Sequence, residues 1–147
     1  MRTHQWLVLT LGLAALAARA TDYAVVIQDQ QAGHLHVRQA ADGWVETDYS
    51  FRNNGRGPDL HERIRVDANG LPVAYEVSGR STMGAEVREN FRLERGRAVW
   101  TSRADQGDET VPEDFVFLPL ESSAAYDDAV VRLLLQQYHS QFSNQQG

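Results

Sequence analysis

The sequence contains no cysteine and no lysine. Without cysteine no disulfide can hold the fold together, so stability must come from the core, and lipid attachment at a lipobox is excluded. Two chemical patterns are also missing: a G-x-S-x-G nucleophile elbow, and a glycine-rich loop that follows a strand and opens a helix. The sequence therefore offers no support for a serine-hydrolase site or a phosphate-binding loop.

Net positive charge is lacking as well. All fourteen basic residues are arginine and stand against twenty acidic residues, which gives a formal charge of −6 at pH 7. Nucleic acids and anionic membrane surfaces attract proteins that present a positive surface. An acidic chain therefore argues against both as partners.

The first twenty residues are typical of a cleavable signal peptide. A basic start at Arg2 is followed by an apolar run, Trp6–Ala17, which is too short to span a bilayer. Ala18–Ala20 (A-R-A) then supplies small residues at positions −3 and −1 of a cleavage site. We predict a periplasmic or secreted product that begins at Thr21 and has no membrane association after cleavage. The alternative is an uncleaved membrane anchor.

Seven short strands are predicted between Asp22 and Ser102. Apolar and polar side chains alternate here, which is the period of a strand with one buried face, and no helical periodicity is present. The clearest alternation is in the third strand. The predicted strands lie around Tyr23–Ile27, Leu35–Val37, Val45–Phe51, Leu60–Val66, Val73–Val77, Ala85–Leu93 and Ala98–Thr101.

Three turns predict that these strands form an antiparallel meander. They are a three-residue loop at Ala41-Asp42-Gly43 and two-residue hairpins at Asn69-Gly70 and Arg95-Gly96. Each turn keeps apolar side chains on one face, whereas a slip of one residue would turn them outward. The predicted pairs are Leu35–Tyr49 and Val37–Thr47, Ile64–Tyr75 and Val66–Val73, and Phe91–Trp100 and Leu93–Ala98.

The alternation ends after Trp100. Ala104–Glu113 is predicted to be an acidic loop, and Ser122 or Ser123 is a candidate N-cap for one amphipathic helix that ends near Gln137. We therefore expect a single β-domain with a C-terminal helix over residues 21–137 and a disordered tail over 138–147. The expected apolar stripe of the helix consists of Tyr126, Val130, Leu133, Leu134 and Gln137.

His34-Leu35-His36 is the pair that resembles a metal motif. Alternate residues of a strand share a face, so both imidazoles could approach one ion. The predicted register, however, places His36 opposite Asp48 and supplies no third ligand. We therefore expect charge pairs on a solvated face and no metal or other cofactor.

Glu62 and Glu89 fall on the apolar side of their predicted strands. A buried carboxylate is unfavourable unless it is paired, and a raised pKa in such a place can mark a functional acid. Arginines flank both residues in the sequence, so structural ion pairs or positions at strand ends are the favoured explanation. The flanking arginines are Arg63, Arg65, Arg88 and Arg92.

The run N-N-G-R-G-P at Asn53–Pro58 has two interpretations. Its backbone N–H groups and Arg56 could hold an anion. It is otherwise a long strand connection whose glycines permit unusual backbone angles, which is the favoured interpretation.

Several of these segments together resemble the N-terminal β-domain of secreted bacterial amidohydrolase-family proteins, the imidazolonepropionase-like metal-dependent hydrolases. The resemblance extends from about Tyr23 to Gln137. It rests on Asn53–Pro58, Glu62, D-A-N-G-L-P at Asp67–Pro72, Gly79, Met83-Gly84, E-N-F at Glu89–Phe91 and E-S-S-A-A-Y at Glu121–Tyr126.

The resemblance implies a domain without the family's chemistry. In the family, the metal ligands belong to a later barrel, and they include an H-x-H motif and often a carbamylated lysine. This sequence has no lysine, and His34-Leu35-His36 lies in the leader domain's second predicted strand. The resemblance therefore carries over no catalytic, cofactor-binding or metal-binding residue, and implies a truncated form.

The leading hypothesis is an exported, non-catalytic accessory β-domain that packs on a hydrolase barrel absent from this chain. The alternative is a periplasmic carrier that binds lipid or another apolar ligand on the concave face of its sheet. Tyr49, Phe51, Tyr75, Phe91 and Trp100 are expected on that face. A cavity between sheet and helix would favour the carrier, and close packing would favour the accessory domain.

Overall fold

The computed structural model describes residues 19–113 and 115–143, which form eight strands and one helix. Most of the predicted signal peptide lies outside the described residues, but Arg19 and Ala20 are the first two residues of the first strand. The elements are β1 (Arg19–Ile27), β2 (Gln30–Gln39), β3 (Val45–Phe51), β4 (Asp59–Val66), β5 (Pro72–Arg80), β6 (Glu86–Glu94), β7 (Arg97–Thr101), β8 (Gln106–Thr110) and α1 (Ala124–Ser143).

The strands form one open antiparallel sheet in the order β1 to β8. The predicted fold class, a mainly β meander with a C-terminal helix, is therefore confirmed. The predicted acidic loop at Ala104–Glu113 is wrong in its middle part, because Gln106–Thr110 pairs with β7 as an eighth strand. The Trp100 ring lies close against Gly107, where a Cβ atom would come within 2.1 Å of a ring atom, so only glycine leaves room for the indole there.

Two of the three predicted hairpins have the predicted register. Leu35 pairs with Tyr49 and Val37 with Thr47 across β2 and β3, and the predicted pairs across β6 and β7 are likewise present. In the first hairpin Gly43 adopts a φ of 85°, the left-handed conformation that its loop requires.

The hairpin at Asn69-Gly70 differs from the prediction near its turn. Asp67 N–H donates to the carbonyl of Leu71 at 2.9 Å, so the loop has three residues and Val66 pairs with Pro72 instead of Val73. A register shift between Arg65 and Val66 then restores the predicted pairing of Ile64 with Tyr75. The bulge compensates for the extra residue in the loop, so the apolar side chains of both strands still lie on the inner face.

The core lies between the inner face of the sheet and a cover made of residues 115–123 and α1. Tyr75 and Phe91 are fully buried at its centre. Phe117 from the cover stacks on Phe91 with ring centroids 4.2 Å apart, and Tyr126 of α1 meets Tyr75 edge-on at 4.6 Å. Such close packing makes the cover part of the fold.

Helix α1 begins where predicted and ends later. Ser123 is its N-cap, because its Oγ accepts a hydrogen bond from the N–H of Ala125 at 3.1 Å. The helix continues to Ser143, so residues 138–143, expected in a disordered tail, are helical, and 144–147 lie outside the described residues. Tyr126, Val130 and Leu133 are buried as predicted, but Leu134 and Gln137 are exposed.

Candidate functional site

Glu62 and Glu89 are the two acidic side chains that are buried among the residues the structure describes. Glu62 on β4 is 2% exposed and Glu89 on β6 is 4% exposed, and both lie on the inner face beneath the cover. The prediction that arginines pair with them is wrong. Sequence neighbours on a strand point to opposite faces, so the flanking arginines lie on the outer face.

Glu62 is bound by hydrogen-bond donors instead of a cation. One of its carboxylate oxygens, Oε1, accepts from the Tyr75 hydroxyl at 2.7 Å and from the backbone N–H of Ser123 at 2.6 Å. Burial raises the pKa of Glu62, these donors oppose that rise, and the charge of Asp127 adds to it. The carboxylate thus joins two strands to the residue that caps α1.

Glu89 also binds the cover, at a residue that precedes Ser123 in the chain. Its Oε2 accepts a hydrogen bond from the N–H of Leu120 at 3.1 Å. Burial raises the pKa of Glu89, the Leu120 N–H opposes this, and Glu121 adds to it. Nearby, the Tyr126 hydroxyl donates to the carbonyl of Phe117 at 2.6 Å.

A carboxyl group with a raised pKa can act as a general acid or base only where a substrate reaches it. Glu62 is shielded by the cover, whereas Glu89, although only 4% exposed, also lines a hollow of about 240 Å³ beside Leu120 and Glu121. Each carboxylate accepts a backbone N–H of the cover. Their geometry serves to fix residues 117–123 on the sheet. Sequence reasoning placed both carboxylates on the correct face but could not find their backbone donors in the cover, which lie 61 and 31 residues away.

The arginines next to these acids form ion pairs on the outer face. The Nη1 atom of Arg63 lies 3.3 Å from Oε2 of Glu76, and its Nε atom lies 3.5 Å from Oε1 of Glu46. The guanidinium carbon of Arg63 lies 4.6 Å from the centre of the Trp44 ring. Arg92 also pairs with Glu76, at 2.7 Å. The outer face of β3–β6 is therefore a network of opposite charges.

The outer face also carries His34, His36 and His61. His34 lies beside Ser50, with 3.4 Å between its Nδ1 atom and the Ser50 hydroxyl, and the other two contact aspartates. His36 and Asp48 are cross-strand neighbours as predicted, but the Nδ1 atom of His36 contacts Asp22 of β1 at 2.6 Å. Asp48 instead contacts the Nδ1 atom of His61 on β4, at 2.8 Å. Within residues 19–113 and 115–143, no group of three or more His, Asp or Glu side chains could hold a metal ion.

The Asn53–Pro58 loop uses its own polar groups. Asn53 and Arg56 exchange two backbone hydrogen bonds, and Asn54 adopts a φ of 51°, which agrees with the interpretation as a strained connection. The Arg52 side chain, and not that of Arg56, supports the loop by donating to the carbonyls of Phe51, Gly57 and Pro58.

A hollow of about 360 Å³ beside this loop is lined by Arg52, Arg56 and Arg80. An anion there would meet mixed charge, because Arg80 lies between Asp59 and Glu86 in the sheet register. The loop therefore has an evident structural role and only weak features of an anion site.

Apolar surface remains exposed at two places around the helix. The first is a groove of about 470 Å³ between α1 and the inner face of β1–β4, where Leu35 and Ile64 form part of the floor. The second is an outward stripe on α1, in which each side chain is more than half exposed. This outward stripe consists of Val131, Leu134, Leu135 and Tyr138.

Comparisons with family models, with curated proteins and with solved structures find no match for this chain. Within the described residues, no helix is long and apolar enough to cross a membrane.

Proposed function

We propose that the chain is an exported, non-catalytic accessory β-domain that docks on a hydrolase barrel through the outward stripe of α1. The observation that carries this proposal is the exposure of Val131, Leu134 and Leu135 on a helix that already buries another apolar face. At about 100° per residue, the centres of the two faces lie about 120° apart around the helix axis. Helices that are apolar on more than one side are normally covered on more than one side.

The energetics favour a protein partner for this stripe. Each large apolar side chain contributes about 1.5–3 kcal/mol when it is fully buried. The four residues of the outward stripe lie along one side of α1 and form an apolar patch of the kind that marks interaction sites on soluble proteins. The resemblance of Tyr23–Gln137 to the leader domain of secreted amidohydrolases supports a barrel as that partner.

The proposal gives the buried carboxylates a structural role, because their hydrogen bonds hold the cover on the sheet. His36 and His61 pair with aspartates on the solvated face. On this proposal, export through residues 1–20 places the domain in the periplasm or outside the cell.

The test begins with the DNA downstream of codon 147, read in all frames for a hydrolase barrel. The chain and any such barrel are produced together and their complex is measured by sedimentation velocity. We expect a complex that is lost in Leu134→Glu, because a charge replaces an apolar anchor. The matched control is Gln136→Glu, which adds the same charge beside the stripe and should leave the complex intact. A missing barrel, or a barrel that does not bind, contradicts the proposal.

The second candidate function is a carrier of apolar ligands, favoured by the groove beside α1. Its helix wall includes Ala124, Ala125 and Ala129, whose short side chains leave the space open. A fluorescent long-chain fatty acid would bind there on this hypothesis, and Ala129→Phe would abolish binding by filling the groove. The control is Ala41→Phe, at an exposed turn position outside the groove. Absence of saturable binding to the unmodified protein excludes the carrier.

A further inference from the structure

The two edges of the open sheet are protected to different degrees. β8 has five residues and carries Asp108 and Glu109, so it is both short and charged. β1 has nine residues, contains no proline, and has Arg19 and Asp22 as its charged side chains. Natural sheets protect their edges with short strands, charges and prolines. By these criteria β8 is closed to further pairing and β1 is open.

The side chains of β1 make its open edge apolar. Tyr23 is 54% exposed and Val26 is 60% exposed, and the two point to opposite faces of the sheet. Among residues 19–113 and 115–143, no strand pairs with the outer edge of β1, so its backbone N–H and C=O groups there lie between apolar side chains. This combination favours pairing with another strand over permanent contact with water.

The edge continues into the apolar groove beside α1. Tyr23 forms the rim of that groove, and Leu35 and Val37 of β2 lie behind it. A strand that is added at β1 would extend the floor of the groove and cover the exposed ring of Tyr23. One partner would therefore satisfy both the open backbone and the apolar rim.

We infer that β1 pairs antiparallel with β1 of a second copy of this chain, about a twofold axis near Tyr23 and Ala24. A twofold interface uses the same patch on both copies, so the strand must be compatible with itself. An axis at Tyr23 places Asp22 opposite Ala24, and an axis at Ala24 places Asp22 opposite Val26. No like charges meet in either arrangement, and one sheet runs through both copies.

This dimer does not depend on the proposed docking function. It uses β1 and the rim of the groove, whereas the barrel would bind the outward stripe of α1. Cleavage after Ala20 would remove Arg19 and Ala20 from the strand, but both candidate axis positions remain within Thr21–Ile27.

The first test is the mass of the purified exported protein, measured by sedimentation equilibrium over a wide range of concentration. We expect twice the chain mass for the unmodified protein and the single-chain mass for Tyr23→Lys, because a lysine at an exposed edge position within the paired strand opposes edge pairing. The matched control, Thr110→Lys on β8, should remain dimeric. A monomeric unmodified protein overturns the inference, as does loss of the dimer in Leu134→Glu with Tyr23→Lys unaffected.

The second test uses the absence of native cysteine. Directly opposed residues of antiparallel strands have Cα atoms about 4.5–5.5 Å apart, which a disulfide can bridge. Under mild oxidation we expect Tyr23→Cys or Ala24→Cys to form a covalent dimer and Thr110→Cys on β8 to remain monomeric. Equal cross-linking at β1 and β8, or none at either β1 position, contradicts a twofold axis in β1.

Discussion

The carboxylate of Glu62 on β4 accepts a hydrogen bond from the hydroxyl of Tyr75 on β5 at 2.7 Å, in a part of the core where both side chains are buried. The same oxygen also accepts a hydrogen bond from the N–H of Ser123, so one carboxylate oxygen binds both a neighbouring strand and the start of α1. No arginine neutralises this carboxylate. The charged form is therefore held by neutral donors in a poorly solvated place, and the group should affect stability in a pH-dependent way.

The first prediction concerns the pH dependence of stability at Glu62. Burial raises its pKa above the ordinary value of 4.5, so its contribution to stability is fully present below pH 4.5 and is lost as the pH rises through the folded-state pKa. Glu62→Gln does not titrate. We expect the free energy of unfolding of Glu62→Gln, relative to the unmodified protein, to increase from pH 5 to pH 8 in urea titrations.

The control for this prediction is Glu62→Leu, which removes the acceptor together with the charge. An unsatisfied buried donor costs about 1–3 kcal/mol, so the leucine variant should be less stable than Glu62→Gln at every pH. If the difference between Glu62→Gln and the unmodified protein does not change with pH, burial does not raise the pKa of Glu62.

The second prediction concerns the cap of α1. Ser123→Ala removes the hydroxyl that accepts the Ala125 N–H and should lower the free energy of unfolding by about 0.5–2 kcal/mol. Ser122→Ala is the matched control, because the Ser122 hydroxyl donates to the exposed Asp127 side chain and caps no backbone group. Equal effects of the two substitutions would show that Ser123 does not act as the cap.

Pairing near tight turns could be predicted because turn chemistry is local. Arg95-Gly96 requires positive φ at both positions, and the structure has 52° and 74°. The Asn69-Gly70 hairpin shows where this reasoning fails. Gly70 also fits the left-handed position of a three-residue loop, and the sequence does not distinguish that loop plus a bulge from a two-residue turn.

What escaped prediction depends on residues that are far apart in sequence. Residues 106–110 lack apolar alternation, and they form a strand because β7 offers a free edge and Arg97 binds Asp108 through two hydrogen bonds, at 2.6 and 2.7 Å. Glu62 and Glu89 each accept a hydrogen bond from a backbone N–H group of the cover, and every residue but proline carries such a group. No residue pattern could therefore have distinguished Ser123 and Leu120 as those donors.

The third prediction is that the histidines of the outer face bind no zinc with useful affinity. Asp22 and Asp48 each contact one imidazole nitrogen, and the described residues offer no third ligand near the His34–His36 pair. Calorimetric titration with zinc should give no stoichiometric binding. The control is His139→Ala, on α1 away from the sheet. Binding that is lost in His36→Ala and kept in His139→Ala would contradict the prediction.

The last prediction separates the two apolar faces of α1. Leu133 is 4% exposed, whereas Leu134, the next residue, is 51% exposed on the outward stripe. Truncation of a buried leucine to alanine removes both transfer energy and packing, so Leu133→Ala should lower the free energy of unfolding by about 2–5 kcal/mol. Leu134→Ala is the same substitution one residue further along α1, and in the isolated protein it should change the free energy of unfolding by well under half as much. Urea unfolding of the two variants side by side gives the comparison.

The docking proposal predicts the opposite order for the affinity of the chain for the barrel. Leu134→Ala should weaken the complex, while Leu133→Ala, once folded, should not. Equal losses of stability in the isolated protein would mean that α1 does not lie on the sheet with the orientation described.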